Sequence, residues 1–231
     1  MRVVDLFCGA GGASMGILLA CPDAHITGVD IRPQAHYPFD FVLADALAFN
    51  IEAFDYVWAS PPCQAHSALR SCAWDASAYA RKHHDLIPAT RAKLLASGKP
   101  YCIENVPKAP LANPITLCAS AFGLKTKAGA QLRRHRIFEC SFDPGPSSRC
   151  AHSGTTIGIF GKKARNTALE KRHYSIPRHE RPNPSGILFS LADAREAMGI
   201  DWMGFSELSE AIPPKYSEHI TKQYLKSVAC S

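Results

Sequence analysis

Five short apolar runs, each closing on a glycine turn or a polar side chain, punctuate the first 104 residues. They are Arg2 to Phe7 before Cys8-Gly9-Ala10-Gly11-Gly12, Ile26 to Asp30, Phe41 to Asp45, Phe54 to Ser60 before Pro61-Pro62, and Pro100 to Glu104. Between them lie stretches of helical composition, Ala13 to Ala20 and a longer one from about Ala76 to Ser97 interrupted near Pro88. Short buried strands that alternate with helices predict the α/β class, a parallel sheet covered on both faces. In such sheets ligands collect at the carboxyl ends of the strands. Gly9, Asp30, Asp45, Cys63 and Glu104 all fall there.

Past Phe138 the pattern changes. Asp143 to Ser148 is rich in Pro, Gly and Ser, Thr155 to Phe160 suits one strand, and Asn166 to Ser185 is basic and broken by prolines. This reads as a loop-rich insert and not as a second core. Helical order returns at Leu191 to Gly199 and at Tyr216 to Val228, where Ile220, Tyr224, Leu225 and Val228 recur at helical spacing. The division expected is a catalytic cofactor-binding domain over 1–140, a short basic target-recognition insert over 141–185, and a segment over 186–231 that returns to the catalytic domain. A length of 231 residues, 46% of them apolar, suits one core with a small appendage.

Charge is unevenly placed. Lys125 to Pro182 carries thirteen Lys or Arg against four acids, while the rest of the chain carries thirteen against sixteen. A positive pole of this kind suits a polyanion, although a charge run also serves simply as a solvated face. No run reaches the roughly 18 apolar residues of a membrane helix, and the N-terminal residues lack a signal-peptide layout, so the expectation is a cytoplasmic protein with no membrane partner. Nine cysteines follow no disulfide framework and read as reduced thiols.

Three constellations carry chemistry. The glycine-rich turn after the first strand, with an acid ending the second, suits a nucleotide-like ligand, but tight packing of the first helix explains the same glycines. Asp45 suits an adenine amino group, or the cap of a helix beginning at Ala46; the two roles are compatible. In Pro61-Pro62-Cys63-Gln64 the prolines fix the direction in which the cysteine leaves the sheet, which suits a nucleophile better than an inert buried thiol. Glu104, at another buried strand tip, suits an acid with a raised pKa, and Arg133-Arg134-His135-Arg136 offers guanidinium groups to a carbonyl, a phosphate or an acidic neighbour.

Asp5-Leu6-Phe7-Cys8-Gly9-Ala10-Gly11-Gly12, Pro61-Pro62-Cys63-Gln64, Glu104-Asn105-Val106 and Arg134-His135-Arg136-Ile137-Phe138 stand in the order and approximate spacing of one family. The chain resembles the cytosine-C5 DNA methyltransferases over Met1 to about Phe138 and again from about Ala197 to Leu225, where Ala211-Ile212-Pro213-Pro214 is similar to the family's last motif. The resemblance implies a Rossmann-like S-adenosylmethionine-dependent methyltransferase fold with a small, loop-rich basic insert. It implies that Phe7, Gly9, Gly11, Gly12 and Pro61 line the cofactor site, with Asp30 on the ribose, Ile31 on the adenine face and Asp45 on its amino group. Cys63 is then the nucleophile at cytosine C6, Glu104 the partner of N3, and Arg136, with Arg134, the holder of O2 or neighbouring groups. The target base would be flipped out of double-stranded DNA. Gln64, Ser67, Arg70, Lys162, Lys163, Arg165, Lys171 and Arg172 are the expected nucleic-acid contacts, and the enzyme is expected as a monomer in a bacterial or phage-infected cell.

The sequence departs from the family pattern at His66, where an aromatic residue is usual, at Leu132, where glutamine is frequent, and at Ser209-Glu210, which replace Gly-Asn. The insert is short, which suggests few base contacts and a short or relaxed target. Cys140, Cys150, His152 and His173 can be grouped as zinc ligands, but no C-x-x-C pair is present, so no metal is assigned and Cys150-x-His152 reads as packing beside the basic loop. Other readings are an RNA cytosine-C5 methyltransferase, a catalytically silent DNA-binding relative, and a dehydrogenase, which the missing G-x-G-x-x-G argues against.

Overall fold

In the computed structural model, residues 1–66, 84–161, 163–166 and 188–229 are described. The order is β1 (Arg2–Leu6), α1 (Gly12–Ala20), β2 (His25–Asp30), β3 (Asp40–Leu43), β4 (Tyr56–Ala59), α2 (Ile87–Ser97), β5 (Tyr101–Asn105) and β6 (Ile115–Cys118), followed by a 3-10 turn (Ala119–Phe122). Then come β7 (Gln131–Leu132), β8 (His135–Cys140), β9 (Thr156–Phe160), β10 (Lys163–Asn166), β11 (Leu188–Phe189), α3 (Leu191–Met198), α4 (Phe205–Glu210) and α5 (Pro214–Ala229). Among the described residues no helix is long and apolar enough to cross a membrane.

Seven strands form one sheet in the order β3-β2-β1-β4-β5-β8-β6. β1 pairs in parallel with β2 and with β4, and the parallel set extends to β3 and β5, while β8 runs antiparallel to both β5 and β6. The chain walks outward from β1 to β3 and then crosses back to β4, so the switch point lies between β1 and β4, where a ligand crevice is expected. The apolar runs of β1, β2, β4 and β5 are continuous because both faces are covered, whereas β3, at the sheet's edge, is largely exposed. In β4, Tyr56 and Trp58 join one buried cluster while Val57 and Ala59 join the other, as a period of two requires. The first cluster takes Ile17 of α1 and Tyr216, Ile220 and Tyr224 of α5; the second takes Ile87 and Leu94 of α2.

The return of the C-terminal segment is a packing event. A Cβ on Gly16 would sit 2.0 Å from the carbonyl oxygen of Pro214, so the crossing of α1 and α5 requires glycine. Tyr224 stacks on Tyr56 with ring centroids 4.7 Å apart. α3 begins at a capping box of Ser190 and Asp193 and ends at Gly199 in the left-handed region, close to the expected span.

The insert differs from the loop-rich expectation. A second sheet, β11-β10-β9-β7, draws strands from before, within and after 141–185. Ile157, Ile159 and Ala164 are buried in the same cluster as Ala194, Ala197 and Met198 of α3. β9 matches the one strand expected at Thr155 to Phe160, whereas β7, β10 and β11, of two to four residues, carry too little periodicity to show in sequence, and the sheet is stabilised by a helix that lies downstream.

Candidate active site

The turn after β1 is built from left-handed residues: Phe7 at φ 60°, Gly9 at 50° and Gly11 at 86°. For Phe7 that conformation carries strain, since Cβ crowds the backbone there. It also turns the chain sharply at the sheet's carboxyl edge. The glycines divide between the two roles left open by the sequence. Gly9 has open space where a Cβ would stand, whereas a Cβ on Gly12 would lie 2.6 Å from the carbonyl oxygen of Ile212, and one on Gly11 would lie 2.9 Å from Pro38. Gly9 is the open position of the cradle, and Gly12 is small because the C-terminal segment crosses it.

Asp30 ends β2 with its carboxylate already oriented: Gly9 N–H donates to Oδ2 at 3.1 Å and Arg32 N–H to Oδ1 at 2.9 Å. Ile31 beside it is 70% exposed, an apolar face turned to solvent at the switch point. Asp45 is exposed and accepts from Leu47 N–H at 2.9 Å, capping a turn and not a helix.

Sequence reasoning passed over Asp5. It is fully buried in β1; Ser14 Oγ donates to Oδ2 at 2.5 Å and also meets the Tyr37 hydroxyl at 2.7 Å, while Oδ1 is buried without a hydrogen-bond partner among the described residues. Burial raises its pKa to about 7, with Asp30 and Glu104 adding to the rise and Ser14 opposing it. The signal was present, since a carboxylate inside an apolar strand is seldom fully buried without a charge partner. Asp30 and an open Gly9 suit a ligand that carries hydroxyl groups.

Across the switch point stands the second group. Asn105 Nδ2 donates to the Pro61 carbonyl at 2.8 Å, tying the Pro61-Pro62-Cys63 turn to the tip of β5. His66 N–H closes that turn on the Cys63 carbonyl at 3.0 Å. Glu104 pairs with Phe138 in the β5–β8 register, which makes Arg136 its diagonal neighbour. Arg136 Nε lies 3.0 Å from Glu104 Oε1, and both side chains are largely buried. Burial pushes the Glu104 carboxyl above its ordinary range, against Arg136, a Ser60 hydrogen bond and Arg134. Burial also pushes the half-buried Cys63 thiol up, and the Glu104 charge adds to it while Arg136 and Arg134 oppose. Cys63, Glu104 and Arg136 therefore act on one another as a single electrostatic unit.

Arg134 does not share this arrangement. Its guanidinium is buried and Nη2 donates to the carbonyls of Ser209, at 2.8 Å, and Ala211. Its own carbonyl accepts from the Tyr216 hydroxyl at 2.7 Å. Arg134 was expected beside Arg136 on a substrate; here its Nη2 is taken up by the carbonyls of the returning segment, its Nε is buried without a hydrogen-bond partner among the described residues, and its charge acts on Cys63 and Glu104. Trp202 Nε1 donates to the Ala10 carbonyl at 2.8 Å, a second tie between that segment and the glycine turn. Glu210 Oε2 approaches Arg32 at 3.6 Å and Glu207 meets His36 at 2.8 Å, so α4 reaches the loop beyond β2.

Of the expected nucleic-acid contacts, Gln64 is half-buried in the Cys63 turn with Oε1 buried and without a partner among the described residues, Lys163 lies on β10, and Arg165 is half-buried on the same strand. Ser67, Arg70, Lys162, Lys171 and Arg172 lie outside the described residues, as does His173. Cys140 stands opposite Cys102 in the β5–β8 pairing, away from Cys150 and His152. Those two meet Cys118 and His135 instead. A shallow surface hollow lined by Gly98, Lys99, Pro100 and Tyr224 lies at the opposite end of β5 from Glu104.

Among solved structures, the Entamoeba histolytica methyltransferase EhMeth superposes with a TM-score of 0.58 at 12% identity, covering 99% of this chain and 98% of that one. A predicted O-methyltransferase from Agrobacterium tumefaciens (13% identity, 60% and 73% covered, TM-score 0.33) and an antibiotic-related methyltransferase (12%, 61% and 86%, 0.34) overlap too loosely to argue from. No protein-family model and no curated protein matches the chain. The chain has a Rossmann-like methyltransferase fold; at 12% identity the likeness establishes the fold alone.

Proposed function

We propose that this chain is an S-adenosylmethionine-dependent DNA cytosine-C5 methyltransferase. The observation that carries the reading is the buried Glu104–Arg136 pair beside the half-buried Cys63, at the carboxyl ends of adjacent strands. S-adenosylmethionine supplies an electrophilic methyl group on a cationic sulfur. The cradle of Gly9 and Asp30 suits such a ligand, since the Asp30 carboxylate complements a cation and ribose hydroxyls and Gly9 leaves open space beside it.

Cytosine C5 is a poor nucleophile until a thiolate adds at C6. Cys63 forms that bond, and the ring becomes an enamine that attacks the methyl group through C5. Glu104, with its carboxyl raised by burial, supports the step by placing a proton on or near N3. Burial is the larger cause of the raised Cys63 thiol, and a protonated Glu104 removes the smaller contribution that its charge makes. Arg136 holds Glu104 and offers its remaining donors to the base. Transfer of the C5 proton to water then breaks the C6–S bond and releases Cys63 as a thiolate, which takes up a proton from solvent to restore the thiol. Double-stranded DNA with the base flipped out is the proposed substrate, and the basic segment its phosphate-facing side.

The test is covalent trapping. A DNA duplex with 5-fluorocytosine at target sites, incubated with S-adenosylmethionine, should leave a protein–DNA adduct on a denaturing gel, since fluorine cannot depart as the proton does. Cys63→Ala should abolish the adduct. An adduct that persists in Cys63→Ala removes the nucleophile from this account, and an adduct formed only with fluorinated RNA moves the substrate to RNA.

A further inference from the structure

Four side chains that the site does not use converge at the far edge of the seven-stranded sheet. Cys118 ends β6, the edge strand, and faces His135 across the β6–β8 ladder. Cys150 and His152 arrive from the chain between β8 and β9. Cys118 Sγ lies 3.2 Å from His152 Nε2, and His135 Nε2 lies 3.2 Å from Cys150 Sγ. One ligand atom from each of the four falls within 4.8 Å of all the others. We propose that Cys118, His135, Cys150 and His152 form a structural Zn²⁺ site.

Tetrahedral zinc with two sulfur and two nitrogen ligands has Zn–S near 2.3 Å and Zn–N near 2.0–2.1 Å, which sets ligand–ligand edges of roughly 3.3–3.8 Å. The 3.2 Å contacts already approach that size, and closing the longest separation takes about an ångström. Two thiolates and two neutral imidazoles cancel the charge of the ion, so the neighbouring Arg133 and Arg136 meet a neutral centre. Binding breaks two S–H bonds, forms two Zn–S and two Zn–N bonds, and releases two protons to solvent.

The scaffold places the ligands independently of the ion. Ser147 Oγ accepts from Thr116 N–H at 2.9 Å, Ser148 Oγ accepts from Cys118 N–H at 2.7 Å, and Ser148 N–H donates to the Thr116 carbonyl at 2.9 Å. Beyond Cys150, Ala151 N–H donates to Ser120 Oγ at 3.0 Å and Ser153 N–H to Gln131 Oε1 at 2.9 Å. Ser147 and Ser148 thus cover groups that the β6 edge leaves unpaired, and the chain past Cys150 continues onto the 3-10 turn and β7. An ion here clamps that segment to the strand from which Arg136 projects, and fixes where the second sheet leaves the first.

The full chain, purified under reducing conditions without chelator, should carry about one zinc by elemental mass spectrometry. Replacement by Co²⁺ should give thiolate-to-cobalt charge transfer and intense tetrahedral d–d bands. Cys150→Ser, at an exposed position, and His152→Ala should each lose the metal and those bands while keeping the far-ultraviolet circular dichroism of the folded chain. Three results would overturn the site: no zinc or tetrahedral cobalt after reconstitution, full metal content in both variants, or a Cys118–Cys150 disulfide in a non-reducing peptide map of the freshly purified protein. None of these readouts depends on methyl transfer.

Discussion

The two sides of the switch point are made differently. On the β1–β2 side, Asp5 and Asp30 sit close together without a basic side chain against either carboxylate among the described residues, and Asp5 keeps a buried oxygen unpartnered. On the β4–β5–β8 side, Glu104 is paired with Arg136 and both act on Cys63. One side holds two carboxyls with no base against either among the described residues, and burial raises the pKa of the Asp5 carboxyl to about 7, so that below this pH it keeps its own proton. The other carries its own counter-charge and is poised for proton and thiol chemistry. A crevice with one such wall on each side can hold a cationic donor against a neutral base without either wall serving both ligands.

The sharpest break in that comparison comes from exchanging what each side loses. Glu104→Gln should lower methyl transfer by roughly 100-fold or more, with S-adenosylmethionine affinity nearly unchanged. Asp30→Ala should instead weaken cofactor binding by about 10- to 100-fold, the worth of charge-assisted hydrogen bonds to the ribose. Calorimetric titration of both variants decides; equal losses of cofactor affinity would make Glu104 a structural residue and dissolve the division.

Arg134 sharpens the boundary of the second side. Arg134→Leu leaves the carbonyls of Ser209 and Ala211 without their donor, and should cost about 2–4 kcal/mol of stability in urea unfolding. Transfer per folded molecule should fall little, with any change in KM and not in kcat. A large fall in kcat at unchanged stability would return Arg134 to the substrate.

The smallest effect concerns pH. The Asp5 carboxyl has a folded pKa of about 7 against an ordinary value of 3.8, so between those values the folded chain holds a proton that the unfolded chain has released. Stability contributed by this group is therefore full below about pH 4, falls as pH rises toward 7, and is level above, a change on the order of a few kcal/mol at most. Asp5→Asn should flatten that descent in unfolding midpoints measured from pH 5 to 8. An unchanged descent would mean that Asp5 is not the buried acid of the cradle.

Much of the first sheet was legible. Runs buried on both faces must be almost wholly apolar, so β1, β2, β4 and β5 announce themselves, and the residues that break the apolar pattern at their ends stand at the crevice by construction. Cys63 and Glu104 were found in this way, and the resemblance to a methyltransferase family assigned them their roles. Asp5 was equally visible but sat inside a run instead of at its tip.

The sequence alone determined the strand–turn–helix order, the burial of the first sheet and which polar side chains end its strands, because these depend on composition over a few neighbouring residues. Only the tertiary structure decided that Gly12 yields to Ile212 while Gly9 stays open, that Arg136 meets Glu104 while Arg134, two residues away, holds Ser209 and Ala211, and that Cys118, His135, Cys150 and His152 share one corner. Each of those outcomes depends on how segments tens of residues apart pair and cross. A strand's register or a helix's approach fixes them within an ångström or two, and no local pattern carries that information.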